Sequence, residues 1–210
     1  MLGPELRLED LPSEPEPVLA AWFTAARDWE EIRYPHAMCL ATVSPEGWPE
    51  ARFVLVHGLE RGEALFLSDQ RSAKGRALKA LPRAALTVYW EPLERQVRLR
   101  GEVQLAPAEL ANELFRERPA ASRVTAWASA QSEVVADRRE LEAEMARFDA
   151  YLWDEPDRSG MEIPRPPHWL AWRLVPDEVE FWLARARRLH DRIRYRRLDG
   201  GGWQRERLAP

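Results

Sequence analysis

Cysteine is almost absent from this 210-residue sequence. The single Cys39 excludes an internal disulfide and a multi-cysteine metal site. It stands in the apolar run 37–43, where a small core residue is expected. Histidine is also scarce. His36, His57, His168 and His190 are scattered, without the metal-ligand spacing of an HExxH pair, so no metal is expected. No apolar run approaches the ~20 residues that span a bilayer. Residues 1–16 are acidic and lack the apolar core of a signal peptide, so the expected setting is cytoplasmic, with no membrane partner. No GxGxxG or Walker loop occurs, and no internal repeat. A net charge of -4 leaves no general nucleic-acid footprint.

Hydrophobic residues make up 45% and charged residues 31%, enough apolar material for a sizeable core. Ten tryptophans can bury large areas or stack on planar ligands. Many of the seventeen prolines cluster near the N-terminus and in 156–167, which reads as an irregular connection. One domain is expected over 17–210, preceded by a loose arm or lid at 1–16. Residues 17–31 have helical periodicity, and Pro17 suits a first helical position. Strands follow at 37–43, 50–57 and 64–68, joined by turn chemistry at Ser44–Gly47 and Gly58–Gly62 as an antiparallel meander. A short helix at 72–80 precedes strands at 84–90 and 96–105. Helices are expected at 107–118 and, broken near Ser132, at 126–148. Strands at 168–175, 179–184, 188–198 and 203–207 complete the chain. This order fits a mainly β, closed antiparallel barrel with flanking helices (α+β) better than a parallel sheet.

The last long strand carries the strongest signal. At a two-residue period, Arg188, His190, Arg192, Arg194 and Arg196 share one face. Leu189, Ile193 and Tyr195, with Asp191 and Arg197, share the other. Such a strand fits a wall of anion donors or a charged edge that blocks aggregation. Arg52 sits in a largely apolar strand and needs an anion or water. Ser72-Ala73-Lys74 opens a helix, which suits either an anion site or an ordinary N-cap. Glu94-Arg95-Gln96 and Trp127–Ser132 add polar groups that can reach a heterocycle's edge.

These segments occur in a recognisable order. Arg52-Phe-Val-Leu, Ser72-x-Lys74, Leu93-Glu-Arg-Gln-Val97 and Arg118-Pro119 come first. Ala126-Trp-x-Ser-x-Gln-Ser132, Glu180-Phe-Trp182, Arg188-Leu-His-Asp-Arg192 and the closing Arg207-Leu-Ala-Pro210 follow. From about residue 37 onward the chain resembles the pyridoxamine (pyridoxine) 5'-phosphate oxidases. The resemblance implies an FMN-binding split β-barrel of antiparallel Greek-key type, acting as a homodimer with FMN at the subunit interface. It implies that Arg52, Phe53, Val54, Leu55, Leu67, Ser68, Lys74, Gln96, Gln131, Ser132, Trp182 and Arg192 bind FMN. Arg52 and Lys74 would hold its phosphate, Gln96 would reach the ring's polar edge, and Gln131 and Ser132 would come from the other subunit. His57, Arg118 and Ser122 would face the substrate phosphate, with Arg188 and His190 over the pyridine ring. The implied partners are a phosphorylated vitamin B6 compound and O2, with no nucleic acid. The implied reaction yields pyridoxal 5'-phosphate and hydrogen peroxide.

Some positions depart from that family's pattern. His57 stands for a lysine, Leu114 for a tyrosine and Ala73 for an arginine, which Arg71 could replace. The segment Trp169-Leu-Ala-Trp-Arg173 lacks the usual glycines. Alternative readings are a related phenazine-pathway flavin oxidase and a non-catalytic flavin or pyridoxal-phosphate carrier.

Overall fold

A two-residue alternation of buried and exposed side chains builds most of the molecule. The computed structural model describes residues 5–153 and 163–210. The first strand, β1 (Ala37–Val43), buries Met38, Leu40 and Thr42 and turns Cys39, Ala41 and Val43 outward. Cys39 is therefore half-exposed on a sheet face rather than a core residue. A tight turn leads to β2 (Pro49–Leu55), which pairs with β1 in antiparallel register. Then come β3 (Leu65–Asp69), helix α2 (Ala73–Ala80), β4 (Arg83–Trp90) and β5 (Arg95–Leu105). Helices α3 (Ala108–Arg116), α4 (Ala120–Ala128) and α5 (Arg138–Trp153) follow. Strands β6 (Trp169–Leu183), β7 (Asp191–Arg197) and β8 (Trp203–Arg207) close the chain. The sheet order is β2-β1-β4-β5-β6-β7-β8, with β3 on β6, and all pairings are antiparallel.

The expected meander stops at β2. After the turn, β3 crosses to β6, and its backbone pairing toward β2 is the isolated bridge of Leu65 to His57, two residues beyond the end of β2. The ring of strands is thus not closed by paired strands, which corrects the closed barrel and fits the split one. The expected strands at 168–175 and 179–184 are one fifteen-residue β6. Pro176 lacks a ladder donor, and the chain passes it through a register shift opposite Arg100 and Gly101. Only glycine fits there, because a Cβ on Gly101 would lie 2.0 Å from the Val175 carbonyl oxygen. One edge of β6 follows β5 throughout. The other pairs with β3 in its first half and β7 in its second.

The core fills the inside of this sheet. Helix α1 (Glu16–Arg27) starts with proline in its first turn and lays Val18, Leu19, Trp22, Phe23 and Ala26 inward. Trp22 meets Phe181 edge-on at 5.2 Å, and Phe181 meets Tyr195 at 5.8 Å. Each such ring stabilises the fold by about 1.5–3 kcal/mol through burial. The Trp90 indole N–H donates to the Pro35 carbonyl at 2.8 Å, so its polar atom is satisfied.

The helical region 126–148 breaks near Ser132 as expected: residues 129–137 leave the helix, Ser132 takes a left-handed φ of 75°, and the flanks are α4 and α5 with shifted bounds. Asp137 then accepts the Arg139 backbone N–H and starts the next helix. The arm is not loose over residues 5–16. The Tyr195 hydroxyl donates to the Pro12 carbonyl at 3.0 Å, and Arg205 reaches the Leu8 carbonyl at 3.0 Å. Residues 1–4 of that arm, and 156–162 of the proline-rich connection, lie outside the described residues. Among the described residues no helix is long and apolar enough to cross a membrane, and no cluster of His, Cys, Asp and Glu could hold a metal.

Candidate active site

Strand β2 places Arg52 and Val54 on the inner side and Phe53 and Leu55 on the outer. At its end lies a cavity of about 520 Å³, within the usual range for small-molecule sites. Arg52, Phe53, Val54 and Leu55 line it from β2, and His57 from the chain just past its end. Leu67 and Ser68 come from β3, Lys74 from α2, Arg118 and Pro119 from the α3–α4 joint, and Gln131 from the stretch before α5. Most of the expected cofactor residues therefore meet in one place.

The charge in this cavity is arranged for an anion. The Arg52 guanidinium donates to Thr42 Oγ1 at 2.6 Å and to Glu50 Oε2 at 2.7 Å, which fixes its plane. Ser72 caps α2 by accepting the Gly75 N–H at 3.3 Å, so Lys74 stands in the first helical turn. Its Nζ donates to Gln131 Oε1 at 2.7 Å and Ser72 Oγ at 3.2 Å. Burial, and next the nearby Arg52 cation, lower the Lys74 pKa to about 8, with Asp69 opposing. An anion between the two cations would relieve that strain. Arg71 does not reach in, because it is held on Asp69, at 2.8 Å between Nη2 and Oδ2. Burial would raise the Asp69 carboxyl, but the Arg71 side chain and backbone N–H outweigh it and hold it low.

Arg118 marks a second cationic end. Its guanidinium lies 4.5 Å over the Trp169 ring, and burial pulls its pKa below the usual guanidinium value. Its Nε is buried with no hydrogen-bond partner, and Nη2 donates to the Ser122 carbonyl at 3.3 Å. His57 Nδ1 lies 4.0 Å from Glu117 Oε2 beside it. Leu114 packs with Leu65, Ala111 and Ala171 in a small apolar cluster and offers no donor.

The remaining expected residues lie elsewhere in the chain. Gln96, Trp182 and Arg192 are adjacent in one cross-strand row over β5, β6 and β7. Their neighbours Val97, Phe181 and Ile193 are core residues, so this row faces outward. Glu180 Oε1 accepts Arg192 Nε at 2.8 Å, and the Ala209 carbonyl accepts Nη1 at 2.9 Å. His190 stacks on Trp182 with ring centroids 4.6 Å apart. Gln131 sits in its own chain's cavity beside Lys74, which corrects its assignment to the other subunit. The neighbouring Ser132 is exposed and outside the cavity lining, as is the half-buried Ser122. Arg188 and His190 are not strand residues. Arg187 and Arg188 take left-handed φ values of 56° and 61°, which turns the chain before β7 begins at Asp191. The five-residue cationic face thus shortens to Arg192, Arg194 and Arg196.

Two groups were missed by sequence reasoning. Tyr89 faces Gln96 across the β4–β5 ladder and meets Trp182 edge-on at 6.2 Å. Glu180 bridges Arg98 and Arg192. Its place directly before Phe181-Trp182 was the available signal.

A split barrel with a cavity lined by arginine and lysine at one strand end and an outward aromatic–arginine row defines a class of small-ligand-binding proteins. The comparisons narrow it. The family model described as pyridoxamine 5'-phosphate oxidase matches residues 26–151, and the one described as pyridoxine 5'-phosphate oxidase C-terminal dimerisation region matches 169–210. The chain is 45% identical to a pyridoxine/pyridoxamine 5'-phosphate oxidase of Salinibacter ruber, over 98% of this chain and 94% of the relative. It is 44% identical to the protein of that name from Azotobacter vinelandii, over 96% and 91%. The crystal structure of PhzG from Burkholderia lata in complex with tetrahydrophenazine-1-carboxylic acid superposes with a TM-score of 0.86. It is 32% identical and covers 96% of this chain and 95% of that one. An FMN-binding protein from Nostoc punctiforme, 22% identical with a TM-score of 0.72 over 95% and 100% of the two chains, shares the fold. This chain belongs to the pyridoxamine 5'-phosphate oxidase family.

Proposed function

We propose that the protein is an FMN-dependent oxidase that converts pyridoxine or pyridoxamine 5'-phosphate to pyridoxal 5'-phosphate in the cytoplasm, consuming O2 and releasing hydrogen peroxide. The observation that carries this reading is one cavity with two cationic ends, Arg52 with Lys74 at one and Arg118, beside His57, at the other. Two phosphorylated ligands side by side need such a cavity. FMN fits the first end: fixed Arg52, the half-buried Lys74 cation, hydroxyl and amide groups at Ser68 and Gln131, and apolar walls at Val54 and Leu67. Bound FMN supplies hydride acceptance from the substrate carbon and reoxidation by O2.

The protein's own residues bind, orient and shield. Arg118 would hold the substrate phosphate through its unpartnered Nε, with His57 beside it and Ser122 one helical turn on. The Arg185 backbone N–H donates to His190 Nδ1 at 3.1 Å, so a neutral His190 carries its proton on Nε2 and offers it as a donor. Arg188 would add a cation over the ring. This is positioning and charge stabilisation, with no covalent nucleophile. Gln96, Trp182 and Arg192 would complete the cofactor site from the second copy of a homodimer, since they lie on the outward sheet face.

Purified protein is expected to show flavin absorbance and to release pyridoxal 5'-phosphate and peroxide from pyridoxine 5'-phosphate under air. Bound FMN without that turnover would overturn the substrate assignment. The likeness to PhzG and the missing donor at Leu114 favour one second reading, a flavin oxidase of a phenazine precursor. The same assay with tetrahydrophenazine-1-carboxylic acid separates the two.

A further inference from the structure

The loop between β6 and β7 carries Arg188 and His190, and one buried carboxylate ties it down. Asp191 is 4% exposed. Its Oδ2 accepts Arg185 Nε at 2.7 Å and the Leu6 backbone N–H at 3.2 Å, and its Oδ1 accepts Arg207 Nη1 at 2.7 Å. The three donors come from three distant places: the arm, the loop and the last strand. Arg207 also donates through Nη2 to the Leu6 carbonyl. Leu6 is thereby held on both its backbone groups by the Asp191–Arg207 pair.

The loop end of this network bears on His190. Arg185 gives its side chain to Asp191 and its backbone N–H to His190 Nδ1, so one residue connects the carboxylate to the imidazole. Between them Arg187 and Arg188 stand in left-handed backbone, a conformation that persists only where the surroundings enforce it. The Arg185–Asp191 and Arg185–His190 bonds are such an enforcement, closing the loop at its base.

We propose that Asp191 is a positioning residue that couples the N-terminal arm to the substrate loop, so that docking of Leu6 sets the orientation of His190. This rests on the assignment of Arg188 and His190 to the substrate side, made above. The linkage is reciprocal: whatever orders the loop also holds the arm.

The test compares the full holoenzyme with Asp191→Asn, with a chain lacking residues 1–6, and with the two changes combined. FMN affinity, measured by fluorescence titration, is expected to fall less than kcat/KM, because Arg52 and Lys74 are on other elements and Arg192, next to Asp191, is held by its own bonds to Glu180 and the Ala209 carbonyl. The kcat/KM for pyridoxine 5'-phosphate is expected to fall about 10- to 100-fold in Asp191→Asn, the scale of a misplaced reacting group. The shortened chain should lose activity in the same direction, and the combined variant should be no worse than Asp191→Asn alone, as for two changes in one link. Nitrogen NMR of His190 should show the single Nε2–H tautomer in the parent and a mixture in each variant. A shortened chain with parental kcat/KM and a parental His190 spectrum would overturn the coupling, and so would losses that simply add. If Asp191→Asn does not fold, the shortened chain decides alone. If the parent shows no vitamer oxidation, the functional reading fails, while the His190 spectrum still tests the coupling.

Discussion

Lys74 decides how the cavity treats an anion. Its pKa of about 8, lowered first by burial, keeps it mostly charged at neutral pH and neutral in mild alkali. A phosphate is a dianion above roughly pH 6, so FMN affinity should be greatest between about pH 6 and 8. It should then fall by up to about tenfold per pH unit above 8, as read by quenching of FMN fluorescence. Lys74→Arg should flatten that fall, since a guanidinium does not titrate there. The same shift acts on stability with a definite sign. The unfolded lysine holds its proton up to about 10.5, so the ligand-free protein should gain stability as pH rises from about 8 to 10.5. Arg118 makes the corresponding prediction at the substrate end. Arg118→Leu removes charge-assisted hydrogen bonds of about 1.5–3 kcal/mol each. It should lower kcat/KM for pyridoxine 5'-phosphate about 10- to 100-fold, with FMN affinity within about twofold of the parent. The cations of the cavity were legible only in company, since Arg52 alone fitted water as well as an anion and the Ser72–Lys74 helix start alone fitted an ordinary N-cap, and the ordered motifs joined them. Tyr89, Glu180 and the Asp191 network were not legible, since their roles depend on cross-strand register and long-range pairing.

Among the elements, β6 does most to shape the site, because its two halves serve different neighbours. The first half holds β3, and with it Leu67 and Ser68 at the cavity. The second half carries Glu180 and Trp182 between β5 and β7. Periodicity marked both halves but divided them at Pro176, since a proline inside a strand usually signals its end. The bulge that carries the chain past Pro176 depends on Gly101, on the partner strand, which no local pattern reveals. Gly101→Ala would drive a methyl into the Val175 carbonyl and should destabilise the protein by about 1–3 kcal/mol. A lower midpoint of urea unfolding at unchanged slope would register this, and unchanged stability would mean that the bulge relaxes freely. The β6–β7 loop failed sequence reading for a related reason. Its alternation of arginine and apolar residues continues β7, yet the left-handed turn at Arg187 and Arg188 breaks the phase.

For the molecule as a whole, the outer sheet face raises the question of a partner. Phe53 is 75% exposed, Leu55 51% and Tyr89 51%, and Cys39, Ala41 and Ala51 lie on the same side. Beside this apolar half runs the row of Gln96, Trp182 and Arg192, and the cavity reaches the same face at Phe53 and Leu55. Exposed apolar surface of this kind on a soluble protein marks a contact site, and the matched dimerisation region covers β6 to β8. Composition gave no hint of a dimer; alternation within single strands showed which residues face outward but not that their rows align. Ala41 offers a clean test, since it lies between Ala51 and Ala85 and outside the cavity. Ala41→Arg would bury an unpaired cation at the contact, at a cost of several kcal/mol. Sedimentation velocity at low micromolar concentration should then show monomer where the parent is dimer. FMN affinity should fall with it if, as proposed, each cavity takes the row of Gln96, Trp182 and Arg192 from its partner. Raising the protein concentration should restore dimer and FMN binding in parallel. A monomer that binds FMN as tightly as the parent would mean that one chain's cavity suffices and that the outward row serves another purpose.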